Sequence, residues 1–209
     1  MLHRLPIVAV FGKGSALGDE RAALAFEVGA MVARLGAHLL TGGGYGVMEA
    51  VAEGFTAVEP RAGLSIGIVP RRHDGPLDAP NRDGQGRPYP NRFVEIPIMT
   101  PLPPRAGNWR SHPARNHVNV FTADAIVALP GGAGTANELD MAGFYRGEAT
   151  RPRAQRRTIL IGPAEEFTSE HRALFLHADT VASAARRLSD ILGAHGLPFS
   201  LKTDRYAAS

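Results

Sequence analysis

Three short apolar runs in this chain each end in a glycine-rich turn that leads into residues at helical spacing. The turns read FGKGSALG from residue 11, TGGGYGVMEA from residue 41 and LPGGAGTANE from residue 129. An apolar run, a glycine turn and a helix in repeated succession are typical of a parallel sheet with helical crossovers. We therefore predict an α/β fold, a Rossmann-like doubly wound parallel sheet with helices on both faces.

The element boundaries follow from capping signals and apolar runs. The first helix is predicted over residues 19–36, with Asp19 as its N-cap and Gly36 as its C-cap. A later helix is expected to start near Ser111 and Pro113, and the apolar stretches AIVAL and TILIGP are predicted strands. Residues 177–196 are predicted to form one C-terminal helix.

Length and composition favour one domain without a disulfide framework or a membrane span. The 209 residues, 44% of them hydrophobic, suit a single domain over 1–196. Residues 71–105 are predicted to contain a long polar loop insertion, and residues 197–209 an arm or a disordered tail. The chain has no cysteine and only a short apolar run near its N-terminus, so we expect a cytoplasmic protein without a membrane partner.

The basic residues also narrow the choice of partner. Lys13 and Lys202 are the only lysines, and the other cations are arginines, which bind phosphate and carboxylate through a planar fork. A compositional bias of the genome explains the same excess of arginine equally well. The chain has no basic stripe along the length of a helix, so we expect no nucleic-acid partner. His112 and His117 do not have the spacing of metal ligands, so we expect no metal site.

The glycine turns themselves predict a phosphate site. Such turns let the backbone approach a ligand closely, and the N–H groups and dipole of the following helix attract anions. The carboxyl ends of parallel strands share one edge of a sheet, so two turns can bind one phosphate. Neither the Walker pattern nor the dinucleotide fingerprint is present, which disfavours a bound NAD cofactor. The expected ligand is a nucleotide or a sugar phosphate; the alternative is that the glycines serve only to form the turns.

Two of these turns, together with the segment ARNHVNVFTADA between them, resemble the Lonely Guy proteins, also called lysine decarboxylase-like proteins. The resemblance covers residues 6–165 and includes the PGGxGTxxE motif; the wider superfamily also contains molybdenum-cofactor carriers. It implies a Rossmann-like homodimer that needs no cofactor. It also implies a phosphoribohydrolase, which cleaves the N-glycosidic bond of nucleoside 5'-monophosphates, such as cytokinin riboside 5'-monophosphates, to a purine-type base and ribose 5-phosphate.

The resemblance also assigns residue roles. It implies that Arg115 and Glu138 are the catalytic pair. A carboxylate can stabilise the positive charge that develops on the ribose or activate water, and an arginine can hold phosphate or orient the carboxylate. The substrate-binding residues that it implies are Gly12, Ser15, Gly43, Gly44, Gly131, Gly132, Gly134 and Thr135.

Other interpretations of the same residues remain open. Thr135 and Glu138 have the spacing of a capping box, which would satisfy N–H groups of their own helix. Arg115 could instead form a salt bridge on the surface of its helix. The first turn contains Lys13, whereas the family has only small residues there. On either side of Arg115, Ala114 and Asn116 stand where the family has an acid and a lysine. These departures favour a non-catalytic carrier or sensor of a phosphorylated ligand as the alternative function, with a DNA-processing-related domain as a weaker one.

Overall fold

The structure is a computed structural model that describes residues 4–70, 81–103, 108–153 and 156–194. The predicted tail over 197–209 and parts of the predicted insertion over 71–105 lie outside the described residues.

A parallel sheet of seven strands forms the centre of the described chain. Its order is β4-β3-β2-β1-β5-β6-β7, and every neighbouring pair is parallel. The apolar runs that precede the glycine turns are β1, β2 and β5, as the sequence predicts. The strands are β1 (Ile7–Phe11), β2 (His38–Thr41), β3 (Ser65–Pro70), β4 (Ile96–Thr100), β5 (Ala125–Ala128), β6 (Thr158–Ile161) and β7 (Leu176–Ala178).

Helices cover both faces of the sheet, which confirms the predicted doubly wound architecture. One face carries α1, α2 and α6, whose apolar side chains such as Val28 and Leu188 share a core cluster. The other face carries α3, α4 and α5, packed through residues such as Leu139 and Phe175. The helices are α1 (Asp19–Arg34), α2 (Val47–Thr56), α3 (Arg115–Thr122), α4 (Ala133–Tyr145), α5 (Ser169–Leu174) and α6 (Val181–Ala194). None of the described helices is long and apolar enough to cross a membrane.

The strand order changes direction between β1 and β5. These strands are neighbours with Phe11 opposite Ala128, yet β1 leads into α1 on one face and β5 into α4 on the other. Helices that leave in opposite directions open a crevice above the carboxyl ends of the two strands. The first and third glycine turns lie at this crevice.

Two predicted helix starts were wrong. Gly18 is the N-cap of α1, so Asp19 is its first helical residue, where its carboxylate faces the positive end of the helix dipole. The helix predicted near Ser111 begins at Arg115, because the Ala114 N–H donates to Nδ1 of His117 and this contact caps the helix.

The predicted helix ends were also only partly right. α1 ends at Arg34 with Leu35 as its C-cap, and Gly36 follows with a φ of 72°. Within the helix predicted over 177–196, the described residues are the end of β7 followed by α6, and residues 195 and 196 lie outside the described residues. β7 was missed because a strand of three residues is too short to show an alternating pattern.

The first two helices pack through glycines that allow their backbones to touch. A Cβ at Gly29 would lie 1.9 Å from the carbonyl oxygen of Val51, and one at Gly54 would lie 1.9 Å from that of Phe26. A backbone carbonyl cannot rotate away as a side chain can. The sequence therefore needs glycine at both contact points between α1 and α2.

We predict that Gly54→Ala lowers the free energy of unfolding by about 3 kcal/mol, because the added methyl group forces the two helices apart. Thermal unfolding followed by circular dichroism would measure the loss. Gly134→Ala is the matched control, since a Cβ at that position of α4 meets no atom within 4 Å. Equal melting temperatures for Gly54→Ala and the wild-type protein would contradict the packing argument.

Candidate functional site

Two adjoining cavities lie at the crevice between β1 and β5. The inner cavity, of about 400 Å³, lies between the first and third glycine turns, Arg115 and Glu138. The outer cavity, of about 490 Å³, lies beside the same two turns, with Lys13 and Arg21 on its wall. Both cavities share the residues Gly12, Gly14, Gly134 and Thr135. We call the two cavities together the cleft.

The cleft brings together most of the residues that the sequence predicts for the site. Arg115 and Glu138 line the inner cavity, and Ser15 lines the outer one. The remaining predicted residues of the first and third turns also line the cleft: Gly12, Gly131, Gly132, Gly134 and Thr135.

The middle glycine turn has a different position. The carbonyl oxygens of Gly43 and Gly44 accept hydrogen bonds from Asn91, whose side-chain Nδ2 lies 3.2 and 2.6 Å from them. Gly43 and Gly44 line neither cavity of the cleft, whereas their neighbour Gly42 lines the inner one. The Val47 N–H, at the start of α2, donates to the carbonyl of Lys13 at 2.9 Å. The first turn therefore covers the end of α2 that would otherwise attract an anion.

The N-terminus of α4 is open instead. Gly132 is its N-cap and has no side chain that could accept a hydrogen bond from the N–H groups of the first turn. A Cβ at Gly132 or Gly134 would meet no atom within 4 Å, so the backbone here borders free space. The first N–H groups of a helix have no partner within the helix, and the dipole adds about half a positive charge at this end. The start of α4, which we call the anion cradle, thus has free N–H groups on the wall of the outer cavity that can bind an anion.

The capping-box interpretation of Thr135 and Glu138 is wrong. Thr135 is the third residue of α4, and the N-cap position belongs to Gly132. Glu138 is consequently in the second turn of the helix, too far along to bond the N-cap amide. Its side chain points instead into the contact between α3 and α4.

Glu138 is a buried carboxyl group. It is 9% exposed, and Nδ2 of Asn119, on α3, donates to its Oε1 at 3.0 Å. Loss of solvation raises the pKa of Glu138 to about 7, although the charge of Arg115 and the hydrogen bond from Asn119 act to lower it. Near neutral pH this group is therefore present both as carboxylate and as carboxylic acid.

Arg115 faces Glu138 across the inner cavity. Its Nη1 donates to the carbonyl oxygen of Gly42 at 2.6 Å and to that of Ile68 at 3.3 Å. Gly42 is needed for this approach, since a Cβ there would lie 1.9 Å from Nη1. Among the described residues no acidic side chain forms an ion pair with Arg115. The alternative of a surface salt bridge is therefore wrong, and the guanidinium belongs to the cleft.

Sequence reasoning missed several residues of this site, of which four lie near Arg115 and Glu138. Gly42, Met48 and Asn116 line the inner cavity, and Asn119 bonds to Glu138. A signal for Asn119 was available, because it follows Arg115 by four residues and such pairs share one face of a helix.

Comparisons with known proteins place the chain in a family. The sequence model of the SLOG cluster4 family matches residues 5–151, and the protein belongs to that family. An uncharacterized protein of Archaeoglobus fulgidus is 32% identical over 139 residues, which are 66% of this chain and 74% of that protein.

Two solved structures are similar over nearly their whole length. The molybdenum cofactor carrier protein of Chlamydomonas reinhardtii is 29% identical with a TM-score of 0.62, covering 91% of this chain and 99% of its own. The molybdenum cofactor binding protein of Rippkaea orientalis is 27% identical with a TM-score of 0.62, covering 90% and 98%. The predicted relation to molybdenum-cofactor carriers is thus confirmed at the level of similarity, while the Lonely Guy assignment stays a prediction.

The buried carboxyl group makes stability depend on pH. Above the ordinary glutamate pKa the unfolded chain loses this proton, whereas the folded protein keeps it up to about pH 7, so the wild type loses stability as pH rises through this range. Glu138→Gln does not titrate. We predict that Glu138→Gln gains stability relative to the wild type between pH 5 and pH 8.5, by up to roughly 3 kcal/mol.

Chemical denaturation at the two pH values would measure this gain. Glu165→Gln, which removes an exposed carboxyl group, is the control. A stability difference between Glu138→Gln and the wild type that is equal at both pH values would contradict the burial of an acid at this position.

Proposed function

We propose that this protein binds a phosphorylated small molecule along the cleft. The phosphate lies at the start of α4 in the outer cavity, and the sugar or ring attached to it occupies the inner cavity. The observation that carries this proposal is that the two cavities share four lining residues, so that an open helix N-terminus lies close to a buried carboxyl group.

The charges of the outer cavity support the phosphate end. Lys13 and Arg21 lie on its wall, and Glu166 pairs with Arg21 at 2.7 Å. Among the described residues, Lys13 and the dipole of α4 then remain as positive charge without an acidic partner. A dianionic phosphate gains charge-assisted hydrogen bonds from both.

The inner cavity has the mixed lining of a site for a ring with polar edges. Apolar surface comes from Val10, Phe11 and Met48, while Arg115 and Glu138 supply a charged donor and an acid–base group. Its volume of about 400 Å³ lies within the range of small-molecule sites.

The position of Glu138 supports hydrolysis of a nucleoside 5'-monophosphate as the activity. The oxygen of a water molecule bonds to the anomeric carbon as the bond from that carbon to the base nitrogen breaks. The base leaves with a proton, and ribose 5-phosphate remains. A carboxyl group with a pKa of about 7 can take the proton from water and stabilise the cationic ribose. Arg115 would hold the ligand against it.

A second candidate function is the transport of a phosphorylated cofactor without catalysis. It is favoured by the likeness to the carrier proteins, which spans almost the whole of those chains. The same cleft would then bind the cofactor as cargo, with the phosphate again at α4 and the ring in the inner cavity.

The two functions give different results with AMP. We predict that AMP raises the melting temperature of the protein and that chromatography detects free adenine after incubation with AMP. The Glu138→Gln variant should release no adenine. Stabilisation by AMP or inorganic phosphate without release of adenine would favour the carrier. Neither stabilisation nor release with any nucleoside monophosphate would contradict the proposed binding site.

Lys13 tests the phosphate end separately. We expect Lys13→Ala to weaken AMP binding about tenfold, because it removes a charge-assisted hydrogen bond to phosphate. Isothermal titration would measure the dissociation constants. Arg187→Ala, which removes one positive charge from the exposed side of α6, is the control and should bind AMP as the wild type does. Equal AMP affinities of the wild type, Lys13→Ala and Arg187→Ala would contradict the position of the phosphate beside Lys13.

A homodimer is the assembly that we propose for this protein. Aromatic side chains are exposed on the outer side of α3 and α4, with Phe121 58%, Phe144 59% and Tyr145 39% accessible. Tyr145 packs edge to face against Phe121, Phe144 and Trp109, and Phe144 also packs against Trp109, at ring distances of 4.9–5.7 Å. Exposed aromatic clusters are characteristic of protein interfaces, and a second copy of the chain would bury this one.

We predict that the double variant Phe121→Ser and Phe144→Ser is a monomer, because it removes the apolar centre of this surface. Light scattering after gel filtration would give the molecular mass. Phe26→Ser on α1, where the ring is 38% exposed, is the control and should leave a dimer. A wild-type protein that is itself a monomer at micromolar concentration would overturn the proposed assembly.

A further inference from the structure

Asn119 is a buried carboxamide that touches the one buried acid of the cleft. It lies on α3 and is 1% exposed, and its Nδ2 donates to Oε1 of Glu138 at 3.0 Å. This is the hydrogen bond that the described residues give to the Glu138 carboxyl group. It holds one oxygen and leaves the other for a ligand in the inner cavity, which Glu138 lines.

The other end of the same carboxamide has no partner. Oδ1 of Asn119 is buried without a hydrogen bond among the described residues. Buried polar atoms in folded proteins are nearly always paired, so this oxygen calls for a physical reason. A rotation of about 180° around χ2 exchanges Oδ1 with Nδ2. Asn119 can therefore donate to a Glu138 carboxylate or accept from a Glu138 carboxylic acid.

Few other charged or titratable side chains of the described residues lie near Glu138. Arg115 is the charged side chain that faces it from α3, and the other residues of the described chain that line the inner cavity are uncharged. His117, also on α3, accepts from the Ala114 N–H through Nδ1 and contacts the Trp109 carbonyl through Nε2. On α4 itself, Asp140 pairs with His171 at 2.9 Å, away from the cleft.

We propose that Asn119 is a positioning residue that holds Glu138 in one orientation in both of its protonation states. The same carboxyl oxygen then meets the ligand whether it acts as an acceptor or as a donor. The carboxylate would bind an N–H, an O–H or a developing positive charge, and the carboxylic acid would bind a carbonyl oxygen or ring nitrogen. This inference rests on the proposed binding of a ligand in the cleft.

Titration of the ligand-free protein tests the contact itself. Carbon-13 NMR of the glutamate side chains, with Glu138 assigned by its absence in Glu138→Gln, gives the titration midpoint of this group. In Asn119→Leu the midpoint should rise by about one pH unit, because the charge-assisted hydrogen bond to the carboxylate is stronger than the neutral one to the carboxylic acid and both are lost. Asn137→Leu is the matched control, since Asn137 is a carboxamide next to Glu138 in sequence that hydrogen-bonds Asn116 instead. An unchanged midpoint in Asn119→Leu would overturn the proposal.

The wild-type protein offers a second readout if Asn119→Leu does not fold. The side-chain NH₂ signals of Asn119 should shift with the same midpoint as Glu138, and they should not shift over this range in Glu138→Gln. If the Asn119 signals did not shift as Glu138 titrates, the proposal would be overturned. Neither measurement needs a ligand. A failure of AMP to bind would therefore contradict the proposed function without affecting the result for Asn119.

A measurement with a ligand then tests whether Asn119 orients Glu138 or only stabilises the folded protein. The pH at which AMP affinity changes should move upward in Asn119→Leu together with the midpoint of Glu138. In the Glu138→Gln background, Asn119→Leu should leave the pH profile unchanged. A change of the profile in that background would show that Asn119 acts without Glu138 and would overturn the proposal.

Discussion

The parallel pairing of β1 with β5 determines where this protein can hold a ligand. Their register places Phe11 beside Ala128, so the two strands end at the same level and their glycine turns become neighbours. The helices that follow leave to opposite faces of the sheet, which prevents either helix from filling the space above the strand ends. The start of α4 is left uncovered, whereas that of α2 is covered by the first turn. The third turn thus offers an open helix start, and the middle turn does not.

The chemistry of the cleft depends on how Glu138 is desolvated. Packing between α3 and α4 removes it from water, and this cost outweighs the attraction of Arg115 and the hydrogen bond from Asn119. Arg115 does not neutralise the acid by direct contact, because the backbone carbonyls of Gly42, in the middle turn, and Ile68, in β3, hold its guanidinium. The two groups therefore remain apart across a cavity, where each can act on a bound molecule. A hydrolase and a carrier could both use this arrangement, with the difference decided by whether water reaches the anomeric carbon.

Much of the fold could be predicted because strands, glycine turns and helices repeat in order along the chain. Strong apolar runs such as β5 and long periodic segments such as α1 need no tertiary information. β7 and the start of α3 could not be found, since the first is set by pairing with β6 and the second by the side chain of His117. The local sequence equally permitted a capping role for Glu138. That alternative is excluded only by the helix start at Ala133, which depends on how the third turn leaves β5.

The central claim is that one phosphorylated molecule occupies both cavities of the cleft, and amide chemical shifts measured by NMR during titration with AMP test it most directly. Shifts should be largest at Gly132, Gly134 and Thr135, and they should extend to Gly12 and to the side chain of Arg115. Inorganic phosphate should move the signals at the start of α4 but leave those of the inner cavity nearly unchanged. Saturable shifts that cluster instead around Trp109 and Phe144, or no saturable shifts at all, would contradict the account.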